Sequence, residues 1–220
     1  MATEPHQLPD LQQSAPPARI SLTRAGVTRS AKSIRILHDG REQLFQADVT
    51  CAVDLNPEQK GVHMSRFEEA INEAIDEVVL EKALHVEALA ETIARRVVST
   101  QQALRSEVTI EASYPLEKTT PVTGVPTQEM YGLTGIAAVG PSSSRRAVGV
   151  SAQGMNACPC AQELIRAQAT DALADNGFDE DQIERIVQVV PVATHNQRAR
   201  ATLLVGVPDE RDVPAETLLE

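Results

Sequence analysis

The sequence contains no tryptophan, two tyrosines and three phenylalanines among 220 residues. A core of this composition has to be built mainly from Val, Ile, Leu and Ala side chains. The shortage of aromatic rings also removes the stacking platforms on which many proteins bind single-stranded nucleic acid. Basic residues are in the minority, with 20 against 31 acidic ones and a net charge of -11. Nucleic acid is therefore not expected as a partner.

The sequence also lacks a hydrophobic run of the roughly 20 residues that a membrane-spanning helix needs. Its first 17 residues contain no basic region followed by an apolar stretch, the pattern of a secretory signal. We therefore expect a cytoplasmic location and no membrane partner. Residues 1–17 are polar and rich in proline, which predicts a flexible N-terminal arm before a folded part that spans residues 18–220.

Cysteine is scarce as well, with three residues in the chain. In a reducing cytosol three cysteines are not expected to form a disulfide framework. The close pair Cys158 and Cys160 therefore indicates a metal-binding, catalytic or redox role. Cys51 lies inside an apolar, strand-like stretch and is predicted to be a buried core residue.

Alternating apolar and polar residues predict several strands. They cover residues 20–28, 33–37, 44–55, 107–114, 133–139, 147–152 and 202–207, with a hairpin at 38–40 and a loop at 117–128. Helical spacing of apolar residues predicts helices at 65–78, 86–103, 161–176 and 179–187, and the start of another at 214–220. Ser65 and Glu68 form a capping-box pattern at the start of the first helix. The order of elements predicts an α+β fold, with helices packed on one face of an antiparallel sheet.

The Cys-Pro-Cys run at 158–160 is followed 35 residues later by His195. Thiolate sulfur and imidazole nitrogen are ligands that zinc and ferrous iron take from proteins, and an open coordination position would make such a site a water activator. The alternative is a pair of buried cysteines at a junction between a strand and a helix. The spacing alone does not separate the two readings.

Polar side chains cluster at two further points of the sequence. Asn196, Gln197 and Arg198 follow His195 after an apolar run, and Arg198 has the geometry to bind a phosphate or carboxylate through two hydrogen bonds. His63 and Arg66 lie immediately before and within the start of the first predicted helix, where an anion gains from unpaired amides and the helix dipole. Ser65 between them is explained structurally as the helix cap.

These motifs together resemble the type IB GTP cyclohydrolase I family, and the spacing between the cysteines and His195 is similar to its archaeal-type branch. The resemblance rests on six segments of the chain, which are LPDLQ, ISLTRAGVT, GVHMSRF, PVTG, ACPCAQE and ATHNQR. It implies a tunnelling fold, with active sites at the subunit interfaces of a homo-oligomer. It also implies hydrolytic opening of the GTP imidazole ring with release of formate. The product would be a 7,8-dihydroneopterin phosphate for folate or methanopterin-type pterin biosynthesis.

The resemblance also implies roles for individual residues. Cys158 and His195 match the ligands of a divalent metal, Fe²⁺, Zn²⁺ or Mn²⁺, and Cys160 matches a supporting residue. His63, Ser65 and Arg66 match a segment that binds substrate, and Arg198 is expected to face the triphosphate.

The family pattern extends beyond residue 220, where a carboxylate ligand and the glutamate and histidine that serve the purine are expected. The sequence therefore predicts a chain truncated at its C-terminal side, with an incomplete second half of the fold. Two hypotheses stay open at this point. One is a GTP cyclohydrolase whose remaining part is supplied elsewhere, and the other is a catalytically inactive fragment or a non-catalytic binding or assembly module.

Overall fold

A computed structural model describes residues 12, 14–38, 41–77, 80–81, 85–191, 196–208 and 213–219. The chain divides into two compact units. Unit 1 comprises Met1–Ala152 together with Thr202–Glu220, and unit 2 comprises Gln153–Ala201.

The described residues form seven strands, four α-helices and a short 3-10 helix. The strands are β1 (Leu22–His38), β2 (Arg41–Leu55), β3 (Leu80–Glu81), β4 (Arg105–Thr119), β5 (Pro126–Val139), β6 (Ser144–Ala157) and β7 (Asn196–Val207). The helices are α1 (Met64–Glu77), α2 (Val86–Gln101), α3 (Pro159–Asp175) and α4 (Glu180–Val189), and the 3-10 helix is Ala215–Leu218.

The strands make one sheet in the order β3-β1-β2-β4-β5-β6-β7. The pairs from β1 to β6 are antiparallel, and the two-residue β3 joins β1 in parallel. Every second residue along the central strands is buried, and α1 and α2 contribute their apolar faces to the same core. The predicted α+β class, with an antiparallel sheet, is thus confirmed, and α1 and α2 pack on one of its faces.

The N-terminal segment forms one long strand where two short ones were predicted. β1 pairs with β2 from Leu22 to His38, with register shifts on either side of Ala25–Val27. Arg24 and Arg29 sit at these bulges with φ angles of 59° and 52°. Their backbone N–H groups donate to side chains of β2, Arg24 to Asp54 Oδ1 at 3.2 Å and Arg29 to Thr50 Oγ1 at 3.1 Å. The bulges therefore interrupt the alternation of side chains without ending the strand.

The first hairpin agrees with its prediction, because His38 of β1 pairs with Arg41 of β2. Asp39 and Gly40 at its tip lie outside the described residues. The loop predicted over residues 117–128 is shorter in the structure. β4 continues to Thr119 and β5 begins at Pro126, and these two residues pair. Proline is tolerated there because it is the first residue of its strand.

The core is concentrated beneath α1 and α2. Phe67, Ala70, Ile71 and Ala74 of α1 are buried at the helical spacing that the sequence predicted. In α2 the buried apolar residues are Val86, Leu89, Ala90, Ile93, Ala94 and Val97. α2 starts against Gly135 of β5, where a Cβ atom would lie 2.6 Å from the carbonyl carbon of Val86. This glycine lets the first turn of α2 approach the sheet closely.

The capping box predicted from Ser65 and Glu68 is wrong. α1 begins at Met64, so Ser65 lies inside its first turn. Glu68 does not reach back to the helix start, because its carboxylate accepts hydrogen bonds from Ser30 Oγ at 2.8 Å and Lys32 Nζ at 2.5 Å. These partners hold the pKa of Glu68 below its usual range, the bond from Lys32 being the larger cause. A salt bridge to β1 has replaced the local cap.

Unit 2 contains the two other helices, and both agree with the sequence prediction. α3 ends before Gly177, whose φ of 85° is the left-handed conformation that glycine adopts readily. α4 has a capping box of its own, in which Asp179 accepts from Gln182 N at 2.9 Å and Gln182 Oε1 accepts from Asp179 N at 3.1 Å. No side chain of α3 is buried, and Ile183 is the buried residue of α4.

Candidate functional site

Cys158 occupies the junction between β6 and α3. β6 ends at Ala157 and α3 begins at Pro159, so Cys158 is the N-cap residue, with φ -97° and ψ 104°. Pro159 suits the first helical position because the amide it lacks would have no partner within the helix. The sequence thus fixes Cys158 in extended backbone at the start of a helix, and its side chain is half-buried.

Cys160 lies in the first turn of α3 and is exposed. The alternative reading, in which both cysteines are buried at a junction between strand and helix, is correct for the position but wrong for the burial. The backbone is extended at Cys158 and helical at Cys160, so the two side chains do not alternate as they would along a strand. The three cysteines of the chain form no disulfide.

Cys51 is the buried core residue that the sequence predicted. It is fully buried on β2, and burial raises the pKa of its thiol to about 12. A thiol held neutral in this way is inert as a nucleophile and as a ligand. The chemistry of cysteine is therefore left to the pair at 158 and 160.

The second predicted metal ligand, His195, lies outside the described residues. Among the residues that the structure does describe, no group of three or more His, Cys, Asp or Glu side chains is placed to hold a metal ion. The donor types still fit a divalent metal, because thiolate and imidazole are borderline-soft ligands suited to zinc and ferrous iron. Arg198, three residues further on, is exposed near the start of β7.

Three of the four predicted substrate-binding residues, His63, Ser65 and Arg66, lie in unit 1. The fourth, Arg198, belongs to unit 2, as does Cys158. His63 and Arg66 are half-buried, and Ser65 is exposed. Arg66 N donates to His63 O at 3.2 Å, and Arg66 Nη1 donates to Thr100 O at 3.3 Å, near the end of α2. The structure therefore brings together His63, Ser65 and Arg66 as one segment, next to the C-terminal turn of α2.

The side chain of Gln101 holds the backbone of this segment. It is 5% exposed, and it bonds His63 twice, accepting from His63 N at 3.1 Å and donating to His63 O at 2.7 Å. Sequence reasoning missed this residue. A glutamine in the last turn of a helix is indistinguishable by pattern from one on a solvated face, and its partner lies 38 positions away.

A second contact reaches the segment from the N-terminal arm. A Cβ atom built on Gly61 would lie 2.6 Å from Oε1 of Gln12, so the absence of a side chain at 61 makes room for that amide. Gln12 is the last residue of LPDLQ, one of the motif segments noted above. Two distant parts of the sequence therefore meet residues 61–63.

The chain was also compared with known proteins. The sequence model of the family described as "Type I GTP cyclohydrolase folE2" matches residues 8–220. GTP cyclohydrolase MptA of Methanobrevibacter smithii is 36% identical over 219 residues, which are 97% of this chain and 70% of that protein. The protein of the same name from Methanosarcina acetivorans is 34% identical over 96% of this chain and 70% of its own length. The protein of that name from Methanococcus vannielii is 35% identical over 92% of this chain and 68% of its own length.

Among solved structures, a uricase from Arthrobacter globiformis is similar over 90% of this chain and 97% of its own, at a TM-score of 0.44 and 6% identity. A likeness at that level assigns no fold, so the tunnelling fold stays a prediction. Within the part of the chain that the structure describes, no helix is long and apolar enough to cross a membrane.

Proposed function

The chain belongs to the type I GTP cyclohydrolase family, and on that premise we propose that it takes part in the hydrolytic opening of the imidazole ring of GTP. One water adds at C8 of the purine and opens the imidazole ring to a formamide. A second water hydrolyses the formamide, so that both bonds from C8 to nitrogen are broken and C8 leaves as formate. The freed amine then condenses with C2′ of the rearranged ribose, with loss of one water. The new ring gives a 7,8-dihydroneopterin phosphate. This product would serve folate or methanopterin-type pterin synthesis.

The observation that carries the proposal is the position of Cys158. The residue stands at a fixed backbone position, at the end of a strand and the start of a helix, and its side chain is half-buried where a core cysteine would be fully buried. Cys51 shows the contrast within the same chain, since burial keeps its thiol neutral. Cys158 thus has the setting of a ligand at a junction between a strand and a helix.

We further propose that Cys158 and His195 hold a divalent metal, Fe²⁺, Zn²⁺ or Mn²⁺. When bound, such an ion supplies hydroxide at neutral pH by lowering the pKa of water. Cys160, which is exposed in the first turn of α3, is proposed to support the site rather than to bind the ion.

The substrate is proposed to meet His63, Ser65, Arg66 and Arg198. The guanidinium groups suit phosphate oxygens, because a guanidinium can donate two parallel hydrogen bonds to one phosphate group. His63 offers an imidazole that can donate or accept a hydrogen bond on the purine edge. The net charge of -11 does not oppose this binding, because local cations dominate at contact distance and distant charges are screened.

The assembly is proposed to be a homo-oligomer of tunnelling-fold subunits, with active sites at the interfaces. The strand order of the sheet is linear, so the sheet is open, and α1 and α2 occupy one of its faces in unit 1. An open sheet of this kind is consistent with the proposed assembly. Sedimentation velocity of the full chain tests this part separately from the chemistry.

The proposed reaction is tested with anaerobically purified full chain, loaded in turn with Fe²⁺, Zn²⁺ and Mn²⁺. Incubation with GTP is expected to release formate, and oxidation of the product is expected to give a fluorescent pterin. Mass spectrometry of the product identifies its phosphate form. Absence of formate with every metal, or consumption of GTP to GDP and phosphate without formate, would contradict the proposal.

A further inference from the structure

Gln101 is a buried polar residue at the last position of α2. Its amide has one acceptor oxygen and one donor nitrogen, and both bond the same residue, His63, through backbone N–H and C=O. The side chain thereby pairs with His63 as a neighbouring β-strand would, at distances of 3.1 and 2.7 Å. Such a two-point contact fixes the orientation of the peptide groups on both sides of the His63 Cα atom.

The same end of α2 accepts two more hydrogen bonds, from side chains on either side of His63. Gln59 Nε2 donates to Gln101 O at 3.1 Å, and Arg66 Nη1 donates to Thr100 O at 3.3 Å. The last carbonyls of a helix have no partner within it, so these side chains satisfy groups that would otherwise need water. Residues 59–66 are therefore attached to the end of α2 on both sides of His63.

α2 is a rigid support for this attachment. Its buried face extends along the whole helix, from Val86 to Gln101, and packs in the core of unit 1. Buried side chains occupy rotamer minima, and the two hydrogen bonds to His63 hold the amide of Gln101 in place. A loop residue that binds a ligand gains affinity when its conformation is fixed in advance, since less entropy is lost on binding.

We propose that Gln101 is a positioning residue for the substrate, which acts through His63 by holding it in the orientation that meets GTP. This inference rests on the proposed function, since it needs His63 to contact the substrate. An amide is the side chain that fits the role. It carries a donor and an acceptor at every pH, whereas Glu loses the donor when ionised and Leu or Met loses both groups.

The first test is a series of variants assayed for GTP turnover well below their melting temperatures. Gln101→Met removes both hydrogen bonds and keeps a helix-forming side chain of similar length. It is expected to raise KM for GTP about tenfold, with kcat within about twofold, because KM alone changes when a contact of equal strength in the ground and transition states is weakened. Gln101→Glu loses the donor to His63 O when it is ionised, so KM for GTP is expected to rise in this variant as well. The control Thr92→Val removes a hydrogen bond from Thr92 Oγ1 to Ala88 O inside α2 and should leave KM unchanged.

The second test is a double-mutant cycle, which separates positioning from general stability. His63→Ala removes the imidazole but keeps the backbone groups that Gln101 bonds. If Gln101 acts through His63, adding Gln101→Met to His63→Ala leaves KM where His63→Ala put it. Effects on KM that multiply in the double variant, or an unchanged KM in Gln101→Met, would overturn the inference.

A measurement that needs no turnover distinguishes this inference from the proposed function. Hydrogen exchange at the His63 amide is expected to be at least about tenfold faster in Gln101→Met and unchanged in Thr92→Val. Equal exchange in Gln101→Met and the wild type would refute the two-point contact between Gln101 and His63. Wild-type protein that neither binds nor converts GTP, with the His63 amide protected, would instead refute the proposed function and the substrate role that depends on it.

Discussion

α2 and α3 have nearly the same length, 16 and 17 residues, but opposite environments. α2 buries eight side chains, including those of Glu87 and Gln101, whereas α3 buries none. Neither helix has a side-chain cap at its N-terminus, but α3 begins with proline and ends before a left-handed glycine. Packing is thus the main support of α2, while sequence-local signals mark both ends of α3.

The difference bears on function because each helix lies next to residues with a predicted role. α2 ends at Gln101, which holds His63, and α3 begins next to Cys158. The predicted substrate-binding segment is therefore attached to the well-packed helix. The predicted metal ligand lies at the start of a helix without a buried face, and its position depends on the junction with β6.

The largest effect is expected at Cys158. Cys158→Ser should reduce formate release from GTP by more than the roughly 100-fold that loss of a supporting partner costs, because a hydroxyl is a poor substitute for a thiolate ligand. Cys160→Ser, two positions further on, removes the proposed supporting residue and should lose about 10- to 100-fold. Equal losses in the two variants would mean that the pair acts as one unit, against the distinct roles assigned here.

A core substitution in α2 should cost far more stability than an apolar truncation in α3. Leu89 is fully buried and Leu164 is 72% exposed. Leu89→Ala is expected to lower the free energy of unfolding by about 2–5 kcal/mol, whereas Leu164→Ala should change it by less than about 0.5 kcal/mol. Urea denaturation of both variants measures this. A large loss for Leu164→Ala would show that α3 packs against something in the assembled protein.

The start of α2 provides the next test, at Gly135. A Cβ atom there would lie 2.6 Å from the carbonyl of Val86 and 2.7 Å from Glu87 N, which are backbone atoms that cannot rotate away. Gly135→Ala is expected to destabilise the protein by about 1–3 kcal/mol through overpacking. At Gly206 a Cβ atom would have no neighbour within 4 Å, so Gly206→Ala is the control. Equal unfolding midpoints for the two variants would contradict the close approach of α2 to β5.

In unit 2 the next test removes the N-terminal cap of α4. Asp179→Ala deletes both the acceptor for Gln182 N and the capping box of α4. The expected cost is about 1 kcal/mol, seen as faster hydrogen exchange in the first turn of α4. Glu184→Ala, in the middle of the same helix, should change hydrogen exchange in the first turn of α4 by less than half as much. If Asp179→Ala has no effect, α4 is held by packing and not by its cap.

The smallest effect concerns the pH dependence of stability at Glu87. Burial raises the pKa of this carboxyl, which has no exposed surface and whose Oε1 lies 3.6 Å from His85 Nδ1. Because the folded-state pKa is above the unfolded one, the stability that protonated Glu87 contributes is complete below the unfolded pKa and is lost as pH rises through the folded pKa.

Glu87→Gln removes this titration. The stability of the variant relative to the wild type should therefore increase with pH, by at most about 1.4 kcal/mol per pH unit. Urea denaturation across the acidic and neutral range, with the exposed Glu69→Gln as control, measures the difference. A constant difference between Glu87→Gln and the wild type at every pH would show that Glu87 keeps the same protonation state throughout.

Much of the fold was predictable because its signals are local. The buried stripes of α1 and α2, the end of α3 at Gly177 and the hairpin between β1 and β2 follow from periodicity and turn residues. The left-handed conformations of Arg24 and Arg29 were not predictable. They depend on hydrogen bonds to Asp54 and Thr50, which come into reach when β2 pairs with β1. The same reason explains Glu68, which bonds Ser30 and Lys32 on β1 instead of capping its own helix.

The candidate site likewise contains residues that the sequence predicted and one that it did not. Its chemistry-bearing candidates were predicted from motifs, because thiol, imidazole and guanidinium groups are recognisable in sequence. Gln101 was not found, because its function lies in a contact between two backbone groups and an amide far away in sequence. Residues of this positioning type become visible when burial and hydrogen bonds are known together.

The most direct test of the account is the ligand set of the metal. The full chain, the Cys158→Ser variant and the Cys160→Ser variant would each be loaded anaerobically with Co²⁺ as a spectroscopic substitute. Ligation by Cys158 predicts a thiolate-to-cobalt charge-transfer band in the wild type and in Cys160→Ser, and none in Cys158→Ser. A band that persists in Cys158→Ser, or a wild type that binds cobalt without any thiolate band, would contradict it.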